Sequence, residues 1–331
     1  MSRNNSPSPQ SAHSNSLPHA PRFSVIIPLY NKEAEIEATL RSVLEQTLQP
    51  LDIVVVDDGS TDGSAAIVER IDSPLVRLIR QANAGECAAR NRAMSEAHGD
   101  YFALLDADDT WKPTFLEEIA ALIGEHPECG IYSTAFDIHS PTGIVRGNCP
   151  TSRGVVENFW RESMSRYVTI PSASVLPRSV VEELGGFPVG MKMGGDQYMW
   201  IKVVSHHKVC FSPEALCNYS MVASNRSSAI YTPERTPFSL EDFLLPPYPS
   251  HKEDLWRGEF IAKCAIGKAL TLTAKGDSEF GRRVVRNFGY TRQYRRGLIK
   301  LRLLLLLPRP LRPTIHALYN RLAWRLAHKG L

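Results

Sequence analysis

The chain has 331 residues, 43% of them hydrophobic, which supplies apolar surface for one large globular domain with appendages and excludes a fibrous or wholly disordered chain. Its six cysteines (Cys87, Cys129, Cys149, Cys210, Cys217, Cys264) have no C-x-x-C or metal-finger spacing and nothing reads as a secretory leader, so structural zinc is not expected and reduced thiols in a cytoplasm are. The net charge of +3 hides an asymmetry: residues 281–331 carry thirteen Lys/Arg and no Asp or Glu, leaving 25 basic against 35 acidic residues elsewhere, so the C-terminal segment is expected to meet an anionic partner that the main body does not.

Residues 1–20 are rich in Ser, Pro and Asn, and without large apolar groups they cannot offset the entropy of ordering; they are expected to be disordered. From Phe23 the chain alternates. A strand Ser24–Leu29 is followed by a helix with Ile36, Leu40, Val43 and Leu44 on one face, and then by a strand Ile53–Val56. A helix with Ile67, Val68 and Ile71, a strand Leu75–Ile79, a helix around Ala88–Ala97 and a strand Tyr101–Leu105 continue the pattern. Such alternation predicts a mostly parallel, doubly wound sheet with helices on both faces. Pro113 opens a helix buried through Phe115, Leu116, Ile119 and Ile123, and a strand Gly130–Ile138 follows. Beyond it come a strand near Ala173–Leu176, a GGFP turn at Gly185–Pro188 and a helix from Gln197 to Val204. The domain is read as residues 21–240, the Pro-rich stretch Leu244–Pro249 as a linker, and residues 250–331 as a basic helical extension.

Three of the apolar runs finish in polar residues: SVIIPLYN in Tyr30 and Asn31, VVVDDGSTDGS in Asp57 and Asp58, and YFALLDADD in Asp106, Asp108 and Asp109. In open α/β sheets the ligand crevice lies outside the carboxyl ends of the strands, so these groups are expected in one cleft. Carboxylates this crowded repel one another, and an oxygen-preferring Mg²⁺ or Mn²⁺ that bridges them to diphosphate oxygens removes the penalty. The competing reading is a solvated loop capping the helix after Pro113. Asp58 could accept a hydrogen bond from a nucleobase, with Tyr30 as an aromatic face; the alternative is an Asx-type turn. Gly85, Arg90 and Asn91 in NAGECAARNRAM lie where a loop entering a helix approaches phosphates, and Asp196 opens a helix behind two glycines, as a general base or as a plain N-cap.

Together, in this order and spacing, SVIIPLYNKE, VVVDDGSTDGS, NAGECAARNRA, YFALLDADD, the GGF turn and the acidic position before a Trp-containing helix resemble glycosyltransferase family 2, the inverting enzymes of GT-A fold, over about residues 22–225. The resemblance implies a nucleotide-sugar site formed by Pro28, Tyr30, Asp58, Gly85, Arg90, Asn91, Asp106 and Asp108, with Asp58 on the base. It implies Mn²⁺ or Mg²⁺ on Asp108 and Asp109, and Asp196 as the catalytic base. Two departures matter. Gly195 replaces the usual Glu before the base, and the Q-x-x-R-W element of processive members is absent, since QYMW runs on into Ile201 and Lys202. The implied activity is a single sugar addition from a nucleotide-diphosphate donor, most commonly UDP, to a glycan, lipid-linked or other hydroxyl acceptor in polysaccharide or glycoconjugate synthesis. The rival readings are a nucleotide-sugar-binding scaffold without catalysis and a sugar nucleotidyltransferase, for which the Gly-rich, Arg-containing phosphate loop near the first strand is missing.

In the tail, Ile315, Leu318, Tyr319, Leu322 and Leu326 recur at helical spacing beside Arg321, Arg325 and Lys329, which makes an amphipathic basic helix. Leu303–Leu307 is too short to span a bilayer, so the expected partner is an anionic membrane surface on the cytoplasmic side, the alternative being packing on the domain or on a second subunit. Its few aromatics follow a packing stripe, which disfavours nucleic acid.

Overall fold

The first apolar run forms β1 (Phe23–Leu29), buried everywhere except at Pro28. β-Branched residues on both faces suit a strand covered on both sides. α1 (Ile36–Leu44) then buries Ile36, Thr39, Leu40 and Val43, and β2 (Asp52–Asp57) is buried throughout. α2 (Ser64–Glu69), β3 (Val76–Arg80), α3 (Glu86–Glu96) and β4 (Tyr101–Leu104) complete the expected alternation. The inward face of α3 is Cys87, Ala89, Ala93 and Met94 around Arg90, and its small side chains let the helix lie close on β1 and β2. The computed structural model describes residues 20–191, 194–223 and 252–327. The expected disordered tract, apart from Ala20, and the expected linker at 244–249 lie outside the described residues.

β1 pairs in parallel with β2 and β4, and β2 with β3. The carboxyl ends of β1, β2 and β4 therefore share one edge of the sheet. Next come β5 (Thr110–Trp111), α4 (Phe115–Glu125), β6 (Ile131–Ser140), β7 (Gly143–Arg146), β8 (Gly154–Val155) and α5 (Phe159–Glu162). β9 (Ser174–Pro177), α6 (Arg178–Leu184), α7 (Gly195–Val204) and β10 (Val209–Ser220) end the domain. The sheet order is β3-β2-β1-β4-β9-β6-β10-β5, with β9 antiparallel between β4 and β6, and β10 parallel to β6.

Among the described residues four α-helices follow: α8 (Lys252–Ala274), α9 (Ser278–Asn287), α10 (Arg295–Leu306) and α11 (Arg312–Ala327). α8 packs onto α5 and the residues just after it. The Phe260 ring lies 5.7 Å from those of Phe159 and Trp160, and Lys263 Nζ donates to the Ser163 carbonyl at 2.5 Å. Buried Glu259 accepts from the amides of Arg292 (2.9 Å) and Gln293 (3.1 Å) and from the Thr291 hydroxyl, which fixes the α9–α10 connection. α10 turns Leu298, Leu301 and Leu304 inward but leaves Ile299, Leu303 and Leu306 exposed, and Ile315, Leu318, Tyr319 and Leu322 of α11 are exposed as well. Among the described residues no helix is long and apolar enough to cross a membrane.

Candidate active site

At the end of β2 the two neighbouring aspartates divide the work. Asp57 makes the Asx-type turn, accepting from the Ser60 amide at 3.0 Å. Asp58, buried, reaches across to the loop before α3, where it accepts from Gln81 Nε2 (2.7 Å) and from the amides of Ala84 and Gly85 (both 2.8 Å). Gly85 has φ +93°, a conformation that side-chain-bearing residues rarely adopt, and this lets its N–H face Asp58 as α3 begins. Asn31 also holds a positive φ of 50° and accepts from the Thr61 amide at 2.7 Å, tying the end of β1 to the loop between β2 and α2. Pro28, half-buried near the end of β1, and Tyr30, exposed just beyond it, stand at this rim.

The acidic cluster after β4 is not three equivalent carboxylates. Asp106 meets the Arg90 guanidinium at 2.5 Å, and its amide donates to Ser172 Oγ at 3.1 Å. Asp108 pairs with Lys32 Nζ at 2.7 Å. Asp109 turns inward and is only 1% exposed; it accepts from Ser172 Oγ (2.5 Å) and from the Ser220 amide at the end of β10 (2.7 Å). Burial pushes the Asp109 carboxyl well above the ordinary aspartate range, and the charges of Asp106 and Asp108 add to the shift.

Arg90 is the hub. It is 1% exposed, bridges Glu86 and Asp106, and lies over the Phe187 ring at 5.3 Å. Burial opposes its charge, but Glu86 and Asp106 more than restore it. Asp196 shares this field: burial raises its carboxyl, the Gln197 amide and Arg90 act against the rise, and Asp106 acts with it. The predicted base and the predicted donor carboxylate thus both feel the charge of Arg90, and Asp106 is the one of the two that pairs with it. Asn91, by contrast, engages both ends of its amide with the main chain of Phe187, accepting from its N–H at 2.8 Å and donating to its carbonyl at 2.7 Å. It braces the GGF turn against α3. Lys32, Ser172 and Glu86 are site residues that the sequence reading did not single out. Lys32 had a signal, directly after Asn31 at the end of a strand; Ser172, far from any motif, had none.

Among the described residues no three His, Cys, Asp or Glu side chains gather as a metal-ligand set. That accords with a cation which takes one or two carboxylates and completes its shell with substrate phosphates and water, as Mg²⁺ does. The donor chemistry fits: the carboxylates are hard oxygen ligands, and beyond the burial that chiefly raises Asp109, the charges of Asp106 and Asp108 raise it further, an effect that a divalent ion would counter. Asp108 is not held in the interior as Asp109 is, and its carboxylate pairs with Lys32.

Residues 24–184 match the sequence model of Glycosyl transferase family 2. This segment is a family 2 glycosyltransferase domain. Over its length the chain is 43% identical across 103 residues to the uncharacterized glycosyltransferase YibD of Escherichia coli, covering 30% of each protein. It is 37% identical across 126 residues to TuaG of Bacillus subtilis, named as a teichuronic acid biosynthesis glycosyltransferase, covering 37% of this chain and 50% of TuaG. The matches thus span 30% and 50% of these two relatives. The crystal structure of S. aureus TarS 1–349 with UDP-GlcNAc superposes with a TM-score of 0.58 at 22% identity, over 85% of this chain and 79% of that one. The likeness carries the fold, GT-A, with the family 2 domain forming its nucleotide-side half and the C-terminal helices appended.

Proposed function

We propose that the chain transfers one sugar from a nucleotide-diphosphate donor to a hydroxyl acceptor, with inversion. The observation that carries this is the gathering of Asp58, Asp106 and Asp108 at the carboxyl ends of β2 and β4, with Asp106 paired to buried Arg90 and the charge of Asp196 within reach of both. In this reading Asp58 and Tyr30 receive the base, with Pro28 and Gly85 shaping the floor, while Asp106 and Arg90 hold the ribose and diphosphate. Asp108 would hold Mn²⁺ or Mg²⁺, with Asp109 adding charge from behind and fixing the turn. When bound, the ion supplies electrostatic stabilisation of the departing diphosphate. Lys32 provides a second positive charge on the same side. Asp196 takes the proton of the acceptor hydroxyl, whose oxygen attacks the anomeric carbon from the face opposite the diphosphate. The upward shift of Asp196 makes it a better proton acceptor than an ordinary aspartate.

UDP is the first nucleotide to test: it is the usual one for the family, and TarS was solved with UDP-GlcNAc. The acceptor is a glycan or lipid-linked hydroxyl of a polysaccharide or glycoconjugate, a reading supported by the name of TuaG. A thermal-shift screen of nucleotide sugars with and without Mn²⁺ tests this, since a ligand that binds only the native state raises the midpoint. Stabilisation by none of them, together with release of pyrophosphate from a nucleoside triphosphate and a sugar phosphate, would move the chain to the nucleotidyltransferases.

The exposed apolar residues of α10 and α11, within a segment of thirteen basic and no acidic residues, support seating on the anionic cytoplasmic face of a membrane. Co-sedimentation with vesicles containing phosphatidylglycerol, compared between the full chain and a chain lacking residues 281–331, tests it. Equal binding by both would refute it.

A further inference from the structure

Glu86 is the one carboxylate of the cleft to which the reaction above gives no task. It is the first residue of α3, its side chain is 50% exposed, and it pairs with Arg90 one turn later. Arg90 already has Asp106, so one positive charge pairs with two carboxylates, Glu86 and Asp106, and is felt by a third, Asp196. A residue whose task was only to neutralise Arg90 would be redundant there.

The position of Glu86 is fixed by its neighbour. Cys87 Sγ lies 2.3 Å from where a Cβ on Gly195 would stand, so the first turns of α3 and α7 are in direct contact and position 195 has room for hydrogen alone. Glu86 and Asp196, each one residue from that contact, open the two helices side by side. Through Arg90, Glu86 is joined to Asp106, the group assigned to the diphosphate side of the donor, and through the Cys87–Gly195 contact it adjoins the turn that carries Asp196, the group assigned to the acceptor hydroxyl. Arg90 draws the Glu86 carboxyl down, while the charges of Asp106 and Asp196 act the other way and leave it raised. In a displacement at the anomeric carbon, what lies between leaving group and attacking oxygen is the sugar ring.

The geometry points to Glu86 as the residue that holds hydroxyl groups of the transferred sugar, an inference that rests on the donor assignment of the preceding subsection. A carboxylate accepts two sugar hydroxyls at once, and a half-exposed one next to a buried cation is oriented without being consumed by it. The role is specificity and positioning rather than proton transfer.

Binding alone tests it. Dissociation constants are measured with Mn²⁺ for UDP and GDP and for their glucose, N-acetylglucosamine and mannose conjugates, on the wild type, Glu86→Gln and Glu86→Ala. The expected result is unchanged affinity for the free nucleotide and a loss of about tenfold for the preferred sugar conjugate, since hydrogen bonds to a charged group contribute at that level. Parallel weakening of nucleotide and conjugate would assign Glu86 to the support of Arg90 and overturn the proposal. Unchanged affinity for the conjugates would overturn it too. If no nucleotide in the panel binds the wild type, the donor assignment itself falls, and this inference with it.

Discussion

Replacing Gly195 by alanine puts one methyl group into the contact between α3 and α7. The new carbon would stand 2.3 Å from Cys87 Sγ, whereas non-bonded heavy atoms rest about 3.5–4 Å apart, so more than an ångström must be found. Cys87 is buried in the inward face of α3, and its Sγ already touches the Met191 carbonyl at 3.8 Å, so it has no free direction. Overpacking of this kind costs about 1–3 kcal/mol. In a Cys87→Ala background the obstruction is gone, and alanine in place of a helical glycine then gains up to about 1 kcal/mol. The two substitutions should therefore couple by about 2 kcal/mol, each alone destabilising and the second relieving the first. Urea unfolding of the four proteins measures this directly, independent of any substrate. A Gly195→Ala protein as stable as the wild type, or additive effects of the two substitutions, would show that the helices do not meet as described.

Other outcomes follow from the cleft. Asp196→Asn should bind UDP normally and lose turnover; in the wild type, kcat/KM should fall as pH drops through the raised pKa of Asp196, because only the deprotonated carboxylate takes the acceptor proton, so the acid limb should lie above the ordinary aspartate range. Normal turnover of the variant would remove the base. Asp108→Ala should weaken UDP binding in the presence of Mn²⁺ far more than in EDTA, as calorimetry would reveal, and equal loss in both would place the cation elsewhere. For Asp109, whose folded pKa is raised, the protonated form is favoured by the fold: stability is full below the unfolded aspartate pKa and is lost as pH rises through the folded one. Without divalent ion, Asp109→Asn should therefore gain on the wild type as pH rises above the unfolded aspartate pKa in urea titrations. A difference that stays constant with pH would contradict the burial of that charge.

The first half of the fold was legible because strand and helix periods there are uninterrupted: the stripe of Ile36, Leu40 and Val43 is the buried face of α1, and the all-apolar runs became β1, β2 and β4. β10, twelve residues long, was not anticipated. Pro213 and Glu214 interrupt its apolar pattern, and the structure absorbs them as register shifts against β6 between Ser212 and Ala215 and between Ala215 and Cys217. The short pieces α5 and β8 carry too few residues for any periodicity to register. Among the site residues, those behind strands were found by position, while the division of labour within DADD was hidden. Which carboxylate faces inward depends on Ser172 and Ser220, 63 and 111 residues away in sequence, and no local pattern reports such partners.

The bond from the Ser220 amide to Asp109 links the completion of the chemistry to the order of synthesis. A nascent polypeptide that has emerged only as far as residue 184, where the family signature stops, has the whole nucleotide half of the sheet but not β10. Its inward-turned aspartate lacks one of its two hydrogen-bond donors, and its acidic turn is held from one side only. The ribosome must deliver some forty further residues before that turn acquires its final shape, so a truncated product could be folded in its first strands and still be chemically inert.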